Sequence, residues 1–155
     1  MRPVDPERFP NADAISVELS SRRTGMSFQR TRMSADRTLM SIIRTSLSLI
    51  SFGFTIHQVF TKWLELPGAH IAREAPRNFG IALVLVGILL LLFGIVYHVR
   101  YMLHLREERT QMIADGLIHG ESKYPLSLTL VCAVVLLCIG LLAIAGMVFG
   151  VAPFA

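Results

Sequence analysis

The chain has 155 residues, of which 53% are apolar, a mean hydropathy of +0.56 and a formal net charge of +4. Its apolar residues are concentrated in long runs and not dispersed at the period of a helix or a strand, which excludes a soluble globular domain. The basic residues are interleaved with no aromatic residue except Phe28, so we expect no binding to nucleic acid.

Residues 1–22 are predicted to form a flexible cytoplasmic tail. This region contains Pro3, Pro6 and Pro10 and charges of both signs, a composition typical of a disordered segment. The first forty residues have no apolar run of the kind found in a cleavable signal peptide, so we expect the tail to be retained. Residues 23–152 are predicted to form one domain of three transmembrane helices.

Between the tail and the first span, residues 24–33 are predicted to form a short amphipathic segment at the membrane interface. Gly25 costs about 1 kcal/mol inside a helix, which argues against one unbroken helix here. Ser34 is a suitable N-cap for the membrane helix, and Asp36 in its first turn would be stabilised by the helix dipole. A continuous helix over residues 23–60 is the open alternative.

Three spans are predicted, at residues 39–60, 79–99 and 126–151. The second and third contain uninterrupted apolar runs longer than the roughly 18 residues that indicate a transmembrane helix. Backbone groups have no water to bond to in lipid, so these segments must be helical. The predicted fold class is therefore an all-α membrane protein with three transmembrane helices.

The distribution of basic residues predicts the orientation of the chain. Seven Lys and Arg residues precede span one, Arg44 lies in its first half, and four lie between spans two and three, which makes twelve on one side of the membrane. Three lie between spans one and two, on the other side. By the positive-inside rule, the N-terminus is cytoplasmic and the C-terminus is outside.

A polar stripe follows the first span. The dipeptide Arg-Thr occurs four times at seven-residue spacing, beginning at Arg23, Arg30, Arg37 and Arg44. From Arg37 onward, polar residues continue in alternating steps of four and three, at Ser41, Arg44, Ser48, Ser51, Thr55, Gln58 and Lys62. This spacing places them on one face of a helix. Polar side chains in a bilayer usually face a bundle interior or a water-filled cavity, so we expect spans two and three to shield span one from lipid.

The stripe has two interpretations. In the first, Arg30, Arg37 and Arg44 bind anions or anionic lipid headgroups, and the hydroxyl groups beyond them line a pore. In the second, Arg44, about 6 Å inside the apolar boundary, extends its guanidinium group to the headgroups, and the Ser and Thr side chains bond between helices at about 0.6 kcal/mol each.

The remaining motifs indicate packing and not chemistry. Gly80, Gly87 and Gly94 repeat every seven residues along span two, which favours close helix packing. The five histidines offer no pair at one depth for haem or metal, and Cys132 and Cys138 lie on different faces of span three. No nucleophilic elbow, phosphate loop or metal-spaced carboxylate pair occurs, so we expect no enzymatic activity, no cofactor and no metal.

The sequence SADRTLMSIIRTSLSLISFGFTI resembles the signature of the YidH-like family of small bacterial inner-membrane proteins, which carry a domain of unknown function. The matching positions are Asp36, Arg37, Thr38, Arg44, Thr45, Phe52 and Gly53. A similar three-helix domain forms the membrane part of the vacuolar transporter chaperone complex, where several copies surround a pore lined by basic residues. The resemblance implies a multi-pass protein of the bacterial inner membrane, with a homo-oligomeric assembly.

Two functions are therefore predicted as alternatives. The first is a homo-oligomeric channel or translocation module for phosphate-type or polyphosphate-like anions. The second is a non-conducting scaffold that binds anionic lipid headgroups or a partner membrane protein. The side of span one that faces lipid distinguishes them.

Overall fold

The computed structural model describes residues 12–63, 74–115 and 127–149. Within these ranges the chain forms three α-helices, α1 (Ala12–Trp63), α2 (Glu74–Ala114) and α3 (Leu128–Phe149). Each helix is long and apolar enough to cross a membrane. The prediction of an all-helical membrane protein with three candidate spans is confirmed.

The predicted break between the segment at residues 24–33 and the membrane helix is wrong, and the structure has the open alternative, because α1 runs without a break through this region. Gly25 is accommodated inside the helix, and its cost of about 1 kcal/mol is small beside the hydrogen bonds of a long helix. The hydroxyls of Thr24 and Thr31 also donate to backbone carbonyls four residues earlier, which keeps these polar groups satisfied without a break. Asp36, expected in a first helical turn, lies well inside α1.

The predicted tail overlaps this helix. Residues 12–22 are helical, whereas residues 1–11 lie outside the described part of the chain. The prolines of the tail all precede Ala12, so none interrupts the helical hydrogen bonds. One turn is further supported by an ion pair, in which the Arg22 guanidinium lies 2.8 Å from the Glu18 carboxylate.

The described residues form two compact units. The first contains residues 12–35 of α1 and residues 100–115, from α2 and the turn after it. Its two helical segments meet through Phe28 and Leu105, both buried, with Met112 packed against them. The Phe28–Leu105 contact packs residues 12–35 of α1 against the α2 segment of this unit.

The second unit contains residues 36–63, 74–99 and 127–149. Its α1 and α2 segments approach closely along a line of glycines. A Cβ at Gly53 would lie 2.7 Å from the carbonyl oxygen of Gly80, and one at Gly87 would lie 3.1 Å from that of Ser46. Gly94 faces Ile42 in the same way. Any larger residue at Gly53 or Gly80 would therefore separate the two helices.

Helix α3 completes the second unit through small residues. Ala133 is fully buried and clusters with Leu39 and Leu91, and a Cβ at Gly140 would lie 3.2 Å from the side chain of Ile88. The outer surfaces of α2 and α3 expose large apolar side chains, including Leu89, Phe93, Val135, Ile139 and Leu142. Such a surface suits contact with lipid, since it would be unstable in water.

Candidate functional site

The polar stripe of α1 lies on the surface of the chain. The side chains of all its members are exposed, namely Arg37, Ser41, Arg44, Ser48, Ser51, Thr55, Gln58 and Lys62. The residues that contact α2 and α3 lie two positions further along and so about 200° around the helix, for example Leu39, Ser46 and Gly53. The expectation that α2 and α3 shield the stripe is therefore wrong within one chain, because close helix packing uses the small and apolar side of α1.

The hydroxyl groups on and beside this stripe bond mainly to their own helix. Ser48 Oγ donates to the carbonyl of Arg44 at 3.0 Å, and Thr55 Oγ1 donates to that of Ser51 at 2.8 Å. Thr45 makes the same type of bond to Ser41 at 3.1 Å. These groups do not require a partner on another helix. Gln58 differs, because its amide has no hydrogen-bond partner among the described residues.

The arginines of the site are available for a ligand. Arg30 belongs to the first unit, whereas Arg37 and Arg44 belong to the second. All three are exposed, and none forms an ion pair within the described residues, in contrast to Arg22, which pairs with Glu18. A guanidinium group offers a planar fork of donors that matches the oxygens of a phosphate or a carboxylate.

The glycines predicted for helix packing face α1. Gly80, Gly87 and Gly94 are all buried, and each would place a Cβ within 2.8 Å of an α1 atom. The α2 helix thereby supports the side of α1 opposite the stripe. A tight support of this kind fixes the direction in which the arginines and hydroxyls point.

A polar cluster not predicted from the sequence joins all three helices of the second unit. The hydroxyl of Ser127 donates to Oδ1 of Asp36 at 2.7 Å. The Ser127 carbonyl accepts the backbone N–H of Leu130, so this serine caps α3 and brings the Asp36 carboxylate beside the positive end of that helix. Nε2 of His98, on α2, lies 3.5 Å from the same Asp36 oxygen.

This cluster differs from a nucleophilic triad, because the serine donates to the carboxylate and not to the histidine. His98 is only 3% exposed, and its Nε2 has no hydrogen-bond partner in the described part of the chain. Asp36 is the one carboxylate among the Arg-Thr repeats, and the predicted spans place it, before span one, on the same membrane side as His98, at the end of span two. Their shared depth was the signal that could have linked them.

The other titratable and sulfur-containing residues do not converge. Within the described ranges, no group of three or more His, Cys, Asp or Glu side chains could hold a metal ion. Cys132 and Cys138 are exposed thiols on α3. His70 and His119 lie outside the described residues.

Comparison with protein families gives one match. Residues 30–104 match the family described as a domain of unknown function, DUF202. This range begins at the second Arg-Thr repeat and extends through the glycine line of α2. Comparisons with curated proteins and with solved structures gave no match. Over residues 30–104, the chain is similar to the DUF202 family, the YidH-like domain family of small membrane proteins.

Proposed function

We propose that this membrane protein assembles as a homo-oligomer in which the α1 helices surround an aqueous path for phosphate-type anions. The observation that carries the proposal is the exposure of the polar stripe on the side of α1 opposite to its packing contacts. In such an assembly, Arg37 and Arg44 form rings at one end of the path. Rings of Arg or Lys are the usual means by which a pore selects anions.

The free-energy cost of placing the polar stripe against lipid supports an aqueous path. A charged side chain facing lipid at the bilayer centre costs about 2.5–3.5 kcal/mol, and less near the surface. At the far end of the stripe, the amide of Gln58, which has no partner among the described residues, would lose its hydrogen bonds to water in lipid, at about 1–3 kcal/mol. Water in a central path satisfies both groups.

The proposed orientation places the arginine-rich end of α1 in the cytoplasm of a bacterial cell and the protein in the inner membrane. The excess of basic residues on that side supports this arrangement. Arg37 and Arg44 then lie at the cytoplasmic entrance of the path, where they attract anions from the cytoplasm.

A non-conducting scaffold is the second candidate, and the back-bonded hydroxyls favour it. Because Ser48 and Thr55 are satisfied by their own helix, this part of α1 tolerates contact with lipid. Arg37 and Arg44 would then bind anionic headgroups, each contributing about 1 kcal/mol near the membrane surface.

The test compares two double variants of the full chain in liposomes. Replacement of both Arg37 and Arg44 by Lys keeps the charge and removes the planar fork, whereas replacement of both by Gln removes the charge. Arg100→Gln is the matched control, because Arg100 is an exposed arginine on α2 outside the stripe. The measurements are anion flux and polyphosphate binding at two salt concentrations, with orientation checked by protease protection.

We expect flux and binding to fall in the Lys pair and to be lost in the Gln pair, with Arg100→Gln unchanged. Lys would substitute fully for Arg in a scaffold held by headgroup attraction. Equal flux and binding in the wild type and both double variants would eliminate the anion path.

A further inference from the structure

The Arg-Thr dipeptides belong to a longer repeat. From Arg23 onward, four consecutive heptads read RTGMSFQ, RTRMSAD, RTLMSII and RTSLSLI. A fifth, SFGFTIH, keeps a bulky apolar residue at the fourth position and a hydroxyl at the fifth. Residues seven apart lie on one side of a helix. The repeat therefore produces parallel columns along α1, with arginine first, threonine second, a bulky apolar residue fourth and a serine or threonine fifth.

The bulky apolar column is exposed over its whole length. Its members, between 36% and 55% exposed, are Leu19, Met26, Met33, Met40, Leu47 and Phe54. The first three belong to the first unit, among charged residues, and the last three to the apolar part of α1. Lipid suits only the second group, because the first lies among charged residues. A single occupant that covers the whole column must itself pass from a charged segment to an apolar one.

A second copy of α1 meets this requirement. It has a charged half and an apolar half in the same order, and insertion in one orientation places every copy at the same depth. The repeat of seven residues is the period at which parallel helices wind around each other in a left-handed supercoil. Neighbouring α1 helices would therefore stay in contact, heptad against heptad.

The order of the columns determines how copies meet. At about 100° per residue, the bulky column lies about 60° to one side of the arginine column, and the fifth-position hydroxyls lie about 40° to the other side. The second-position threonines lie about 100° to that other side. Thr24, Thr31 and Thr45 turn their hydroxyls onto their own backbone, so these small side chains need no hydrogen bond from a neighbouring helix.

We propose that the bulky column of one copy packs into the Ser/Thr column of the next, so that the α1 helices form a closed ring with the arginines directed to its axis. The contact joins two different surfaces of the chain, and repeated around an axis it closes into a ring. A two-fold contact through the bulky columns would leave the Ser/Thr columns uncovered. This inference rests on the homo-oligomer of the proposed function and names its contact.

Disulfide cross-linking of the full chain tests the contact. In a background with Cys132 and Cys138 replaced by Ala, two differently tagged single variants, Met33→Cys and Ser34→Cys, are co-reconstituted in liposomes and oxidised. The control mixture pairs Met33→Cys with Gln29→Cys, since Gln29 is also exposed but lies beyond the bulky column, away from the hydroxyls. Met26→Cys with Ser27→Cys repeats the test one heptad earlier.

We expect mixed dimers from both bulky–serine pairs, at least fivefold above the control mixture. Homodimers of Met33→Cys alone at the yield of the mixed dimers would overturn the ring in favour of a two-fold contact. Equal yields in the control mixture, or no mixed dimer from either pair, would overturn it as well. Cross-linking needs no anion, so mixed dimers without anion flux support the ring while contradicting the anion path. Flux without mixed dimers does the reverse.

Discussion

Substitution of Gly53 by alanine should separate α1 from α2 at the point where their backbones are closest. The added Cβ would lie 2.7 Å from the Gly80 carbonyl oxygen and 2.9 Å from Leu83 Cβ and Val84 Cγ2. An ordinary contact begins at about 3.4 Å, so the helices must move apart by roughly 0.7 Å. The nearest obstacle is backbone, which has no rotamer that relieves the clash.

The matched variant is Gly140→Ala on α3. Its Cβ would meet only side-chain atoms, at 3.2 Å from Ile88 Cγ1 and 3.3 Å from Ile50 Cδ1, which can shift slightly. Both glycines lie within helices, so the gain in helix propensity, about 1 kcal/mol, is the same in each variant and cancels in their comparison. The remaining difference is the cost of overpacking, about 1–3 kcal/mol in favour of Gly140→Ala.

The assay is reversible unfolding of the purified protein in mixed micelles, followed by helical circular dichroism. Gly25→Ala serves as a second reference, because a Cβ there would meet nothing within 4 Å and should leave the protein as stable as the wild type or more so. If Gly53→Ala were as stable as Gly140→Ala, the close approach of α1 and α2 would not exist in the folded protein.

Three further outcomes are expected. Asp36→Asn and Ser127→Ala should each destabilise the protein. Because the Ser127–Asp36 hydrogen bond has a charged acceptor, a double-mutant cycle should give a coupling free energy of about 1.5–3 kcal/mol, and additive effects would exclude this bond. Ser46→Ala should stabilise the protein by about 1 kcal/mol, because the Ser46 hydroxyl is buried without a partner among the described residues; a loss of stability would contradict this. A reporter fused at Ala155 should be periplasmic, and Ala69→Cys should react with an impermeant thiol reagent; a cytoplasmic Ala155 would reverse the proposed orientation.

The three helices and the glycine repeat of α2 were readable from the sequence, because apolar length and small-residue spacing are local properties. The continuity of α1 was not, since the contact of Phe28 with Leu105 joins segments far apart in the chain. Helix propensity at Gly25 concerns only the helix itself, whereas the Phe28–Leu105 contact packs α1 on another helix and supports its continuity.

The sequence predicted that the site residues share one face of α1, but it did not predict which way that face points. Periodicity places Arg44 and Ser48 on one side of α1, yet it does not say which side α2 contacts. The glycines of α2 show which side it is, because they contact Ser46 and Gly53, on the side of α1 opposite the stripe. The bond between Asp36 and Ser127, 91 positions apart, required the folded chain.

In the proposed assembly, the stripe of α1 faces water and not lipid. The most direct test of this placement is the reactivity of Ser48→Cys in proteoliposomes, in a background with Cys132 and Cys138 replaced by Ala. Val135→Cys is the reference, as an exposed position on the apolar surface of α3. We expect a small, charged, impermeant thiol reagent to modify Ser48→Cys, polyphosphate to slow this reaction, and Val135→Cys not to react. Reaction of Ser48→Cys only with a lipid-soluble reagent, as for Val135→Cys, would contradict this placement of the stripe.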